Sequence, residues 1–184
     1  GILTVNDIAR TYNGSAQTLT AGSASGEGDY TLSVGSTYLT EGTDFDVEYA
    51  DNTNAGEATM TVTAKGNYTG TLEANFTIAR LDISSATSGV VTALEATSYS
   101  YTGSAITPAV TVTLADGTSL SSDAGYEVYY ANNKKVAAAD ASLPPTVTVK
   151  GTGNLYGTVK LYFEITPSSG QTLSFTLENL DYGT

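Results

Sequence analysis

The chain contains its own partial copy, and that copy limits the folds open to it. Gly66-Asn67-Tyr68-Thr69-Gly70-Thr71 returns as Gly153-Asn154-Leu155-Tyr156-Gly157-Thr158, 87 residues later. Phe76-Thr77-Ile78 returns as Phe163-Glu164-Ile165 at the same offset. Upstream, Tyr12-Asn13-Gly14-Ser15-Ala16 matches Tyr101-Thr102-Gly103-Ser104-Ala105, 89 residues on. Between these anchors, Phe45-Asp46-Val47-Glu48-Tyr49 matches Tyr126-Glu127-Val128-Tyr129-Tyr130. Ordered anchors at a near-constant offset mean repeated structural units. The offset drifts because connecting loops tolerate changes in length.

Inside each unit the period is two. Ala58, Met60, Val62 and Ala64 alternate with threonines, and Leu72, Ala74, Phe76 and Ile78 alternate with Glu73, Asn75 and Thr77. Val159, Leu161, Phe163 and Ile165 alternate with Lys160, Tyr162 and Glu164. Such alternation predicts strands with one buried and one wet face. Tight-turn steps such as Gly66-Asn67, Asp116-Gly117 and Gly153-Asn154 separate the runs. No helical spacing persists over ten positions. The expected fold class is all-β: two tandem β-sandwich repeats of about seven short strands each. The boundaries are 1–79 and 81–166, with a junction near Arg80-Leu81 too short for free tumbling. Ala137–Pro145 reads as a loop insertion in the second unit, since Pro144-Pro145 cannot sit inside a central strand.

Residues 167–184 form a tail with two readings. Leu173-Ser174-Phe175 through Asp181-Tyr182 can be laid over Leu3-Thr4-Val5 through Thr11-Tyr12. The tail is then the first strand of a truncated third repeat, or alternatively an extra strand of the second.

The pattern Tyr12–Ala16, Gly42–Tyr49, Asn54–Gly56, Lys65–Thr71 and Phe76–Ile78 resembles the bacterial immunoglobulin-like repeats found in tandem in large surface and secreted proteins. The second unit matches at Tyr101–Pro108 and more loosely at Gly151–Ile165; it lacks the Asn-Ala-Gly turn, having Asn132-Asn133-Lys134-Lys135 instead. The resemblance implies an immunoglobulin-like sandwich, an extracellular location on the cell surface or in the medium, and a spacer or adhesive role. It supplies no ligand, because fold does not fix function. Gly1 in place of an initiating Met leads us to expect a fragment or processed product.

Composition narrows the chemistry. Nineteen acidic against seven basic residues give a net charge of −12, a poor match to nucleic acid or an anionic membrane face. The same charge opposes self-association, so a monomer is expected. There is no Cys, which removes thiolate chemistry, and no His, which removes the commonest general base and transition-metal ligand. No catalytic, cofactor-binding or metal residue is assigned, and the chain is not expected to be an enzyme.

Several motifs carry a sharp and a bland reading. Gly151-Thr152-Gly153-Asn154-Leu155-Tyr156-Gly157 looks phosphate-loop-like, but a strand rather than a helix follows, so a hairpin is expected. Asp44, Asp46 and Glu48 share one strand face, with Asp51 nearby, and could hold Ca²⁺. Residues two apart on a strand sit roughly 7 Å from each other, too far for one ion without help from another loop. A solvated acidic face that discourages edge pairing is the preferred reading.

Among the 13 tyrosines, Tyr126 and Tyr130 have core parity, and Tyr12, Tyr101, Tyr68 and Tyr156 occupy matched positions expected to pack. Tyr129 and Tyr162 point outward in the second unit only, as glycan or protein contacts, or as structural neighbours. Asn13, Asn67 and Asn75 head Asn-x-Ser/Thr triplets, read as coincidence in a Thr-rich chain. Lys65 and Lys150 precede matched turns, but nothing in the alternation marks a buried lysine beside an acid, as an isopeptide cross-link requires.

The function expected is a non-catalytic extracellular spacer or stalk. The alternatives are an adhesin module for a host or bacterial glycan or protein, and an accessory domain of a secreted polysaccharide-degrading enzyme. The expected partners are neighbouring repeats of the same protein.

Overall fold

The computed structural model describes residues 1–6, 10–23, 27–122 and 125–169. Strands make up 48% of the chain and helix 1%, so the protein is all-β. In the first half, β1 (Ile2–Val5), β3 (Tyr30–Val34) and β4 (Thr37–Tyr38) form one antiparallel sheet in the order β1-β3-β4. A second sheet has the order β2-β7-β6-β5, from β2 (Arg10–Thr11), β7 (Thr71–Ala79), β6 (Gly56–Ala64) and β5 (Phe45–Ala50). Here β2 runs parallel to β7, pairing Arg10 with Ile78, and the other pairs are antiparallel.

The two sheets meet through their apolar faces, as in a β-sandwich. Tyr30 and Leu32 of β3 and Met60, Val62, Phe76 and Ile78 of β6 and β7 are buried. The Tyr30 ring sits edge-on to Phe45 of β5, with centroids 6.3 Å apart. Alternation along β6 and β7 puts these residues on one side and Thr59, Thr61, Glu73 and Asn75 on the other. At about 25 cal/mol per Å² of buried apolar surface, each such side chain contributes roughly 1.5–3 kcal/mol.

The second half opens with β8 (Leu81–Asp82). Then β9 (Val91–Leu94), β11 (Val110–Thr113) and β12 (Ser119–Leu120) form an antiparallel sheet. Facing roles fall to β13 (Tyr126–Ala131), β14 (Thr146–Gly151) and β16 (Thr158–Tyr162), in that order. The short β10 (Ser98–Ser100) runs parallel to β17 (Glu164–Thr166), and β15 (Leu155–Tyr156) runs parallel to β8.

Pairing registers recur between the halves. Met60 pairs with Tyr49 and Ala74, as Val147 pairs with Tyr130 and Leu161. Loop details recur as well. Tyr49 donates its hydroxyl to the Leu19 carbonyl at 3.0 Å, and Tyr130 to that of Pro108 at 2.8 Å. Asn52 and Asn133 exchange hydrogen bonds with the backbone of Gln17 and Ile106 respectively. Asp51 and Asn132 both take the left-handed conformation, φ 56° and 57°, that Asp and Asn tolerate better than most residues.

One difference has a plain cause. In the first half β7 is continuous for nine residues, whereas its counterpart breaks at Phe163 into β16 and β17. Pro144 and Pro145 stand opposite the break and carry no N–H to donate. The Ala137–Pro145 insertion folds back instead, and Ala137 exchanges backbone hydrogen bonds with Ile165 at 3.1 and 2.9 Å.

Candidate functional site

Three places merit a functional reading: the acidic edge of the first half, the outer face of the β13-β14-β16 sheet, and the junction between the halves.

At the acidic edge the carboxylates do not converge. Strand β5 begins at Phe45, so Asp44 precedes it, and its backbone carbonyl accepts the Lys65 N–H at 2.8 Å. Its carboxylate accepts the Thr40 N–H at 2.9 Å and closes the turn before the strand. Asp46 instead pairs with Lys65 Nζ at 2.5 Å, cross-strand and largely exposed. Glu48 stands opposite Thr61. Among the described residues no group of three or more acidic side chains is placed to hold a metal ion. β5 is an edge strand, and exposed Asp46 and Glu48 on it disfavour strand addition. Lys65, the isopeptide candidate, is spent on this exposed ion pair.

On the outer face of the second half, Tyr129 is 52% exposed and Tyr162 49%. They stand on β13 and β16, on either side of β14, with Tyr129 opposite Thr148 and Tyr162 opposite Thr146. Two strand spacings of about 4.8 Å and an offset of two residues along the strands put them roughly 12 Å apart. Exposed Lys150 and Lys160 share this face. The Tyr129 hydroxyl donates to Glu127 at 2.5 Å, and that carboxylate pushes the phenol pKa up. The corresponding face of the first half carries Asp46, Glu48 and Glu73 instead. This is a flat patch with two aromatics, two cations and the Glu127 carboxylate, able to stack on a ring.

The Gly151–Gly157 segment is the turn between antiparallel β14 and β16, closed by Gly151 N–H to Gly157 O and Leu155 N–H to Thr152 O, both 2.9 Å. No helix follows it. Asn13 turns inward on its own loop and accepts the Ser15 N–H at 2.9 Å. Asn75 accepts the Thr59 hydroxyl at 3.2 Å across the sheet.

The junction lay beyond sequence reasoning. Asn154 Oδ1 accepts the Ala55 N–H at 2.8 Å, and Asn154 Nδ2 donates to Asn54 Oδ1 at 2.9 Å, joining residues 100 apart in the chain. Arg80 donates to the Leu155 carbonyl, and its guanidinium lies 5.8 Å from the centre of the Tyr156 ring. Tyr12, Asn13 and Leu81 line a small cavity of about 160 Å³ with Leu114 and Asp116. Tyr12 is accordingly 7% exposed, while its sequence equivalent Tyr101 is 40% exposed. The expectation that both pack holds for Tyr12 alone, because only Tyr12 has the other half beside it. Tyr156 is also exposed, and Tyr68 is half-buried. Tyr126 and Tyr130 meet their core parity, each with its hydroxyl on a backbone carbonyl.

A further polar cluster fixes the first half's loops. Asp29 accepts from Arg10 at 2.5 Å and from the Thr20 N–H and hydroxyl at 2.7 Å. Burial works to raise the Asp29 pKa, but the Thr20 hydrogen bonds and the Arg10 charge outweigh it and hold the carboxyl below its usual range. The Leu173–Tyr182 readings lie outside the described residues.

No protein-family model matches this chain, and comparison with curated proteins and with solved structures returns no match.

Proposed function

We propose that the chain is a pair of tandem immunoglobulin-like units, residues 1–79 and 81–166, serving as a non-catalytic spacer in a bacterial cell-surface or secreted protein. The observation that carries this reading is the junction. A spacer must transmit direction from one unit to the next, so its joint needs fixed contacts rather than a loose linker. Asn154 clasping Asn54 and Ala55, and Arg80 laid over Tyr156, are contacts of that kind. The recurrence of registers and loop hydrogen bonds at the repeat offset supports the tandem reading. Residual dipolar couplings test it. One alignment tensor fitting both halves supports a rigid spacer; independent tensors would defeat it.

The second reading is an adhesin surface at Tyr129 and Tyr162, favoured by their exposure beside Lys150 and Lys160. Glycan-array binding lost in both Tyr129→Ala and Tyr162→Ala would install that reading in place of a spacer-only role.

A further inference from the structure

Asn13-Gly14 is the single Asn-Gly step in the chain, and both residues are exposed. The backbone demands the glycine. Gly14 has φ 82°, as its counterpart Gly103 has φ 83°, and a Cβ on Gly14 would also fall 3.2 Å from Leu114 Cδ1. The turn does not demand the asparagine. Its counterpart Thr102 makes the same turn with a hydroxyl that accepts the Ser104 N–H at 3.3 Å.

Three features favour attack of the Gly14 nitrogen on the Asn13 side-chain amide. Nucleophile and carbonyl belong to adjacent residues, so ring closure is intramolecular, and Gly14 has no Cβ to crowd it. Among the described residues the Gly14 N–H has no acceptor, so no hydrogen bond must break before its proton leaves. Asn13 Oδ1 accepts from the Ser15 N–H at 2.9 Å and from Gln17 Nε2. Gln17 is itself fixed, because its backbone exchanges two hydrogen bonds of 2.7 Å with Asn52. Negative charge develops on Oδ1 during the attack. Donors bind an anionic oxygen more tightly than a neutral amide oxygen, so both lower the barrier. The Asp116-Gly117 turn across the cavity differs. Hydrogen bonds from Thr118 hold the Asp116 carboxyl below its usual range, and an ionised carboxylate resists attack.

We propose that Asn13 is a site of self-modification, converted to aspartate and isoaspartate by its own turn without an enzyme. The Gly14 N–H gives its proton to hydroxide, and the nitrogen bonds to Asn13 Cγ. The carbonyl π pair moves onto Oδ1, beneath the Ser15 N–H and the Gln17 amide. The double bond then re-forms, the Cγ–Nδ2 bond breaks, and Nδ2 takes a proton from water and leaves as ammonia. Water opens the resulting succinimide at either carbonyl. One opening leaves aspartate in the normal main chain, and the other routes the main chain through the side chain as isoaspartate. The net change is one water consumed and one ammonia released, with no oxidation or reduction. Either product adds a carboxylate at the cavity that Asp116 already lines. The inference goes beyond the spacer reading and does not rest on it.

The test incubates the whole chain in mildly alkaline buffer. Proteolysis and mass spectrometry locate the amide-to-acid exchange, and isoaspartyl methyltransferase labelling reads the isoaspartate share. Product is expected at Asn13 at least tenfold faster than at any other asparagine. Gln17→Ala is expected to slow the conversion at least threefold, and Gln17→Glu, which keeps the side-chain length and loses the donor, at least as much. A loosened loop would speed the reaction instead, so the direction of change separates the donor from a packing effect. In an isolated peptide of Tyr12–Thr20 nothing holds Gln17 over the amide, and there Gln17→Ala is expected to leave the rate unchanged. The proposal is overturned if no product forms at Asn13. It is equally overturned if both folded Gln17 variants convert as fast as the parent chain, or if the peptide slows as much as the folded protein does.

Discussion

Replacing Asn154 by Ala removes one side chain and two contacts between the halves. The Ala55 N–H loses its acceptor at 2.8 Å, and Asn54 Oδ1 loses its donor at 2.9 Å. Neutral hydrogen bonds of this kind are worth about 0.5–1.5 kcal/mol each, and an N–H left without a partner adds to the cost. The junction should therefore lose about 2 kcal/mol, a shift of roughly thirtyfold toward an open joint. The backbone acceptor at Asn154, which holds Leu81, is untouched by the change. Neither half should lose much of its own stability. The assay is amide exchange at Ala55 together with residual dipolar couplings across both halves. Asn154→Ala is expected to speed exchange at Ala55 at least tenfold and to degrade the fit to a single tensor. If Ala55 stays protected and one tensor still fits, the Asn154 clasp does not set the joint, and the argument from its hydrogen bonds is wrong.

Other outcomes follow from the same contacts. Tyr49→Phe removes a hydroxyl that both accepts the Leu19 N–H and donates to the Leu19 carbonyl, whereas Tyr130→Phe removes one bond to Pro108; chemical denaturation should show about 2 kcal/mol lost in the first and about 1 kcal/mol in the second. Asp29 has a depressed native pKa, so its stabilisation is complete above the ordinary value of 3.8 and is lost as pH falls through the native pKa. Asp29→Asn should flatten the acid limb of a melting-temperature profile below that pH and leave its shape at neutral pH unchanged. Chelation by EDTA should leave the melting temperature within a degree or so, since Asp44 and Asp46 are committed to Thr40 and Lys65; a drop of many degrees would reinstate a Ca²⁺ site.

Strand alternation was legible because a half-buried strand must alternate, and β6 does so over Ala58–Val62 and β7 over Ala74–Ile78, while Leu72 at the start of β7 is exposed. The loop insertion was legible because two prolines cannot join a ladder. The bond from the Thr40 N–H to Asp44 was not legible, since composition does not say where Phe45 begins its pairing. Tyr12 and Tyr101 sit in near-identical local sequence yet differ in burial, because burial is decided by what lies alongside. The Asn154 clasp was invisible for the same reason: its partners stand a hundred residues away and carry no local signal.

The short parallel pairs bear on how the chain would respond to a pull on its ends. Strand β2, near the start of the first half, runs parallel to β7 at its end, and β10 stands likewise against β17. Tyr12 N–H to Ala79 O at 2.9 Å and Tyr101 N–H to Thr166 O at 2.8 Å extend the two pairs. When a chain is pulled from both ends, an antiparallel pair joined by a hairpin opens like a zipper, one bond after another. Parallel terminal strands slide against each other instead, and their bonds must yield together. Once β1 has peeled away, tension falls on these bonds in shear. Resistance to extension is governed by the rate of crossing that barrier rather than by equilibrium stability. A few hydrogen bonds, worth little in a thermal melt, then become the clamp that sets the force at which each half gives way.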